Sequence, residues 1–167
     1  GLDLAAASDS GLAPNGSNTD NITNITAVTV TGNAEPFSSV QLFVGGIANG
    51  AAVTANGAGV VSGTVNLAPN AVNSVTARAT DPAGNLGAVS APLAITQDNT
   101  VPAAPTVDLA DASDSGRFNN DNITNIAAVT INGTAEAGSA VTITGGAAPV
   151  TVTATGAGTY TAVVNLN

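Results

Sequence analysis

The chain contains no Cys, Met, Trp, His or Lys, and its 167 residues carry a single Tyr and three Phe. Each absence closes a class of function. Without Cys there is no disulfide, and without Cys or His there is no ordinary zinc site. Without His, Cys or Lys, most general-base and nucleophilic machinery is missing. Arg78 and Arg117 are the only basic residues, and the net charge is −9. Such a surface repels a phosphate backbone, which excludes nucleic acid as a partner. So few aromatics provide no stacking platform for bases or sugars. No apolar run approaches the ~20 residues of a spanning helix, so this segment is not expected to insert into a membrane. No basic-plus-apolar leader stands at the front, and Gly1 in place of Met reads as a processed or excised piece.

What is present favours folding. Hydrophobic residues make up 44% of the chain and charged residues 8%, the reverse of a disordered composition. The chain also repeats itself. Asp3–Gly11 matches Asp108–Gly116 at an offset of 105, and Asp20–Ile25 matches Asp121–Ile126 at an offset of 101. A four-residue insertion around Pro14–Ser17 in the first copy accounts for the difference. Thr31–Glu35 answers Asn132–Glu136, and at an offset of 99 Gly57–Gly59 and Val65–Leu67 answer Gly156–Gly158 and Val164–Leu166. A period near one hundred residues is a domain, not a solenoid unit. Between the copies, Gln97-Asp98-Asn99-Thr100-Val101-Pro102-Ala103-Ala104-Pro105, with two prolines in four positions, reads as a short, stiff linker with the boundary near residue 100. The expected domains are therefore 1–99 and 100–167.

Period-two alternation dominates both copies. Val28, Val30 and Gly32 alternate with Thr29 and Thr31, as Val129, Ile131 and Gly133 do in the second copy. Val61, Gly63, Val65 and Leu67 share a face, with Tyr160, Ala162, Val164 and Leu166 as counterparts. Val75, Ala77 and Ala79 are expected to face inward, with Thr76, Arg78 and Thr80 outward. β-branched residues suit a half-buried pleat, and Gly, Asn, Asp and Pro clusters mark turns at strand-length intervals. No segment carries a capped helical period. About seven short strands per hundred residues predict an all-β, Greek-key sandwich of immunoglobulin-like type, in tandem. The second copy reaches only the counterpart of about Ala68, so it is expected to comprise strands A to E and to lack its last two.

Four motifs carry a family resemblance: Ala112-Ser113-Asp114-Ser115-Gly116, Asp121-Asn122-Ile123-Thr124-Asn125, Gly133–Ser139, and Thr80-Asp81-Pro82-Ala83-Gly84-Asn85. On them, essentially the whole chain resembles the bacterial immunoglobulin-like (Big-type) repeats of giant surface adhesins of the RTX/BapA-like kind. One departure concerns the residue after the Gly-x-Gly turn. The family often has Trp there, whereas this chain has Val60-Val61 and Thr159-Tyr160. The resemblance implies extender modules, not catalysts, at the bacterial cell surface or outside the cell. The implied partners are neighbouring Ig-like modules of the same or another chain, and a host or abiotic surface reached through a separate tip domain. It also implies calcium near module junctions.

Calcium has its own physical case, since it takes six to eight oxygens and the acids here gather in turns. Asp9 and Asp20 fall in the first A–B loop, Asp98 in the linker and Glu136 in the second B–C turn. In a tandem sandwich these four are expected to converge on the junction. Glu35 and Asp81 are expected together at the far end of the first module, and Asp111, Asp114 and Asp121 in the second A–B loop. The competing account is turn chemistry, in which Asp and Asn bind their own backbone.

Other readings rank lower. Glu35 with Asp81 is the only carboxylate pair worth naming for glycoside hydrolysis, and Phe37, Phe43, Phe118 and Tyr160 read as core or edge packing. A tip module needs a distinctive insertion, and Pro14–Ser17 looks like a longer turn. Sequons at Asn15, Asn21, Asn24, Asn122 and Asn132 arise easily in a chain rich in Asn and Thr. A second copy without its last strands leaves two alternatives. Either the chain is an excerpt of a longer array, or a strand from a neighbouring chain completes it in a filament or biofilm matrix fibre.

Overall fold

Alternating Val and Thr become strands wherever one face can be buried and the other wetted. The computed structural model describes residues 1–10 and 18–167. The Pro14–Ser17 insertion and the Asn15 sequon lie outside the described residues. Two compact units are found, Gly1–Thr100 and Val101–Asn167, each described by itself.

The first unit runs β1 (Asp3–Leu4), β2 (Ile22–Thr23), β3 (Ala27–Asn33), β4 (Ser39–Val44), β5 (Ile47–Ala48), β6 (Val53–Thr54), β7 (Val60–Asn66), β8 (Ala71–Thr80), β9 (Leu86–Val89) and β10 (Leu93–Gln97). One sheet has the order β1-β3-β7. The other has the order β2-β10-β8-β4-β5, with β6 on β4 and β9 on β8. All pairings are antiparallel except β2 on β10. This is a Greek-key sandwich with more strands than expected. Short pieces such as β2 and β5 add to the count, and a register shift at Arg78/Thr80 sets β9 on β8.

The inward faces of both sheets meet in one apolar cluster: Leu4, Val28, Val30, Leu42, Val65, Leu67, Val75 and Ile95. A smaller cluster joins Val40, Ala55 and Val61. Along β7 burial alternates at every residue, as the sequence pattern requires. Along β8 it does not. Val75 is buried, but Thr76 to Thr80 are all half-buried. The far half of β8 borders an open cleft, so Ala77 and Ala79 are not sealed in.

The second unit contains β11 (Asp108–Leu109), β12 (Ala128–Thr134), β13 (Ala140–Ile143), β14 (Val150–Thr153) and β15 (Thr159–Asn165). The sheet β11-β12-β15 repeats β1-β3-β7 in order and register. Opposite it stands only the hairpin β13-β14. The short β2 and β5 have no counterparts here, and neither do β8, β9 and β10; two strands were expected to be missing after the counterpart of β7, and the added β9 makes three. Leu166 departs from its expected face at 41% exposed. No strand corresponding to β8 or β10 lies over it. The aromatics divide. Tyr160 is buried, whereas Phe37 and Phe118 are exposed and so are not core residues. Phe118 lies under the Arg117 guanidinium, 5.5 Å from ring centre to cation.

Candidate metal-binding clasp of the A–B loop

After its first short strand each unit makes the same turn. Ser8 and Asp9 both donate their backbone N–H to the Ala5 carbonyl, and Ser113 and Asp114 do the same to Ala110. The turn delivers three consecutive side chains to backbone amides that would otherwise be unpaired. Ser8 Oγ accepts from Thr29 N–H at 2.9 Å, and Ser113 Oγ accepts from Thr130 N–H at 2.9 Å. Asp9 Oδ2 accepts from Asn21 N–H at 3.1 Å, and Asp114 Oδ2 accepts from Asn122 N–H at 2.9 Å. Ser10 Oγ accepts from Asn24 N–H at 2.7 Å, and Ser115 Oγ accepts from Asn125 N–H at 3.0 Å. Asp9 and Ser10 thus clasp the Asp20–Asn24 run, and Asp114 and Ser115 the Asp121–Asn125 run, while Ser8 and Ser113 fasten the turn to β3 and β12. The clasp needs a left-handed residue, and Asn21 (φ 60°) and Asn122 (φ 58°) supply it. Asn tolerates that region better than most side chains do. In the first unit Thr23 also donates its hydroxyl to Ser8 O at 2.6 Å.

The clasp carboxylates are nearly closed off from solvent, Asp9 at 4% and Asp114 at 6% exposed. Each uses one oxygen on the loop. The other, Asp9 Oδ1 and Asp114 Oδ1, is buried with no hydrogen-bond partner. A buried, half-satisfied carboxylate is costly unless protonated or paired with a cation. Burial raises the pKa of Asp9. The Asn21 amide opposes that rise, and the nearby Asp20 carboxyl adds to it. Asp20 caps the same loop, its Oδ1 accepting from Ile22 N–H at 3.1 Å. Asp121 does the same for Ile123 N–H at 3.2 Å.

The remaining candidate acids are placed differently. Asp98 is exposed and accepts Thr100 N–H in an Asx turn, while its own N–H donates to Thr23 O. Asp111 is exposed on the clasp turn. Glu35 and Asp81 do come to one end of the first unit, lining a shallow pocket with Ser38 and Asn85. Both Asp81 oxygens are engaged there by Asn85, through its side-chain and backbone N–H, and these bonds lower the Asp81 pKa. Glu136 is exposed, and its backbone carbonyl accepts from Ser139 as that of Glu35 does from Ser38. Among the described residues no three acidic side chains stand close enough to hold one metal ion. Asp98 therefore does not join Asp9 and Asp20 in one cluster, and Asp111 does not join Asp114 and Asp121. Any ion would rest on two carboxylates plus backbone oxygens and water.

Sequence reasoning missed the two clasp serines, although the repetition of Ser-Asp-Ser at a fixed distance from Asp-Asn-Ile-Thr-Asn was the signal. It also missed Gln97, which is fully buried. Its Oε1 accepts from Asn70 N–H and its Nε2 donates to Asn24 O, tying the β7–β8 turn to the A–B loop. Gln97 follows Leu93 and Ile95 at period two, so its inward direction was legible.

The paired clasps and the twice-built first sheet set the context for the family comparison. The family model of the bacterial Ig-like domain matches residues 1–99 and again residues 100–167. The chain belongs to this family. No curated protein matches it. Bacterial Ig-like modules are typically structural rather than enzymatic and usually occur in extracellular or surface proteins. Among the described residues no helix is long and apolar enough to cross a membrane.

Proposed function

We propose that these bacterial Ig-like modules are spacers of a surface-anchored or secreted adhesin, stiffened by calcium held in the A–B clasps. One observation carries the calcium reading: the same buried, unpartnered carboxylate oxygen occurs in both copies, at Asp9 and Asp114. Calcium takes oxygen ligands in flexible geometry. Asp9 with the neighbouring Asp20 carboxyl, and Asp114 with Asp121 by correspondence of the repeat, would be the carboxylate ligands. The ion would supply the positive charge these carboxyls lack and would lock the loop to its neighbouring strand. Acidity and the absence of Lys support solubility of an extended array.

Thermal unfolding of the whole chain in calcium and in EDTA tests this reading. Calcium is expected to raise the midpoint by several degrees, and Asp9→Asn to lose the first module's share of that rise. Asn keeps an acceptor for Asn21 N–H but removes the buried charge. In EDTA the substitution is therefore expected to stabilise, an effect of opposite sign. The pH dependence follows from the same group. Folding raises the Asp9 pKa, so the folded state holds its proton to higher pH than the unfolded chain does. The metal-free stability due to Asp9 is full below the ordinary carboxylate range and declines as pH rises through the raised value. Asp81, whose pKa is lowered, acts in reverse, and its contribution is lost as pH falls. Equal midpoints in calcium and EDTA would overturn the calcium reading.

A second reading is favoured by β13. Its counterpart β4 pairs with β8 on one side and with β5 and β6 on the other, whereas β13 pairs with β14 alone. An open edge of this kind accepts an added strand. A strand from a neighbouring chain, patterned like Ala71–Thr80, would make the modules a fibre subunit. Light scattering at increasing protein concentration tests this, and a strict monomer with a folded second module would overturn it.

A further inference from the structure

The chain between Thr100 and Thr106 is held by neither core. Residues 101–105 are exposed, and none of them makes a hydrogen bond to a described residue. The residues on either side are held, each by its own module. On the first side three consecutive backbone amides are taken up. Asp98 N–H donates to Thr23 O at 2.8 Å, Asn99 N–H to Asn70 Oδ1 at 2.9 Å, and Thr100 N–H to Asp98 Oδ1 at 2.9 Å. The Thr100 hydroxyl also donates to Asn70 Oδ1, at 3.2 Å. Asn70 is itself fixed. Its N–H donates to the buried Gln97 Oε1 at 2.6 Å, and it sits at φ 52°, a region that Asn tolerates. On the second side Thr106 is bound three ways. Its N–H donates to Thr134 O at 2.9 Å, its Oγ1 accepts from Thr134 N–H at 2.8 Å, and its carbonyl accepts the Tyr160 hydroxyl at 2.6 Å.

The residues between these holds have little freedom of their own. Pro102 and Pro105 have a fixed φ. Val101 and Ala104 precede them and are confined to extended or polyproline backbone. Only Ala103 keeps an open choice of both φ and ψ. We propose that Asn70 and Tyr160 are linker latches that need no metal, and that Ala103 is the one free joint left between them. This adds to the spacer reading a source of stiffness distinct from the clasps, since no latch bond uses Asp9, Asp20, Asp114 or Asp121. Asn70, Tyr160 and the groups they bind are uncharged, so both latches should survive EDTA and high salt.

Nitrogen-15 relaxation and amide exchange of the whole chain in EDTA test it. Asn99, Thr100 and Thr106 should show order parameters near the ~0.85 of rigid backbone, with the lowest value between residues 98 and 106 at Ala103. Asn70→Gly keeps the left-handed turn and removes the acceptor. Exchange of the Asn99 amide should then quicken about tenfold, while that of β8 stays the same. Asn70→Asp keeps the oxygen and should retain the protection. Tyr160→Phe keeps the ring and removes the hydroxyl, and it should lower the order of Thr106 and Val107 but not of Asn99. Ala103→Pro should raise Ala104 to the order of Thr100. If Asn70→Gly does not fold, the wild-type profile and Ala103→Pro still decide. Low order at Asn99 and Thr100 in EDTA that calcium restores would overturn the first latch and assign linker order to the metal. Unchanged Asn99 exchange in Asn70→Gly would overturn the role of Asn70, and unchanged order at Thr106 in Tyr160→Phe that of Tyr160. A minimum elsewhere than Ala103 would overturn the joint. Failure of the latches and failure of the calcium reading are thus seen in different measurements.

Discussion

Val30 and Leu67 are sealed in the first module, while their counterparts in the second, Ile131 and Leu166, are half-buried and exposed. The strands that carry Val30 and Ile131, and those that end just before Leu67 and Leu166, have the same pairing and register in both copies. What differs is the facing layer. In the first module β8 and β10 bring Val75 and Ile95 into the same cluster. In the second only the β13-β14 hairpin stands opposite, and the loop beyond β13 folds over the end of β15, where Ala147 N–H donates to Asn165 O. An inward-facing strand residue is therefore a candidate for burial, and the opposing sheet decides whether burial happens. At one inward-facing position the second module carries Tyr160 where the first carries Val61, and the ring covers more apolar surface.

That difference can be tested. Tyr160→Val should cost about 3 kcal/mol, at the lower end of large-to-small aromatic truncations, and the loss should fall on the second module alone. Amide exchange along β12 and β3, compared in one sample, measures both modules at once. Equal acceleration of the two would show that Tyr160 carries no special weight. A smaller effect probes what the modules share. Ser8→Ala and Ser113→Ala each leave a strand amide, Thr29 or Thr130, without its acceptor. Each should cost about 1–2 kcal/mol, and chemical denaturation should show matched losses if the clasps are equivalent. The smallest effect sharpens a local contrast. Phe37 sits at φ 65° where the second module has Gly138 at φ 79°. Bulky side chains disfavour that region by about 1 kcal/mol, so Phe37→Gly should stabilise the first module slightly. The gain is reduced by lost contact with Gly57, which the Phe37 ring overlies. Destabilisation would mean that the ring's cover of the turn outweighs the strain.

Much of the fold was legible because its signals are local. Thr and Val at period two mark β3, β7, β12 and β15, and the repeat itself placed the two A–B loops in correspondence. Asp9 and Asp114 were legible as loop acids, and Asp81 as a turn residue. Their individual states were not legible. Whether a carboxylate has one oxygen or two on the backbone depends on which amides the loop presents to it. Asp81 has both oxygens on Asn85, whereas Asp9 has one stranded. The expected grouping of Asp98 with Asp9 and Asp20 followed from loop topology, which places residues at an end of a sandwich without bringing their side chains within reach of one ion.

The sequence by itself determined an acidic, all-β, internally repeated chain with no chemistry for catalysis by thiol, imidazole or amine. Composition and periodicity suffice for that, because they act residue by residue. Only the tertiary structure decided which inward-facing residues are buried, which clasp oxygen is left without a partner, and that Tyr160 reaches the Thr106 carbonyl. Those outcomes depend on contacts between residues far apart in the chain, and the opposing sheet and the folded loop supply them.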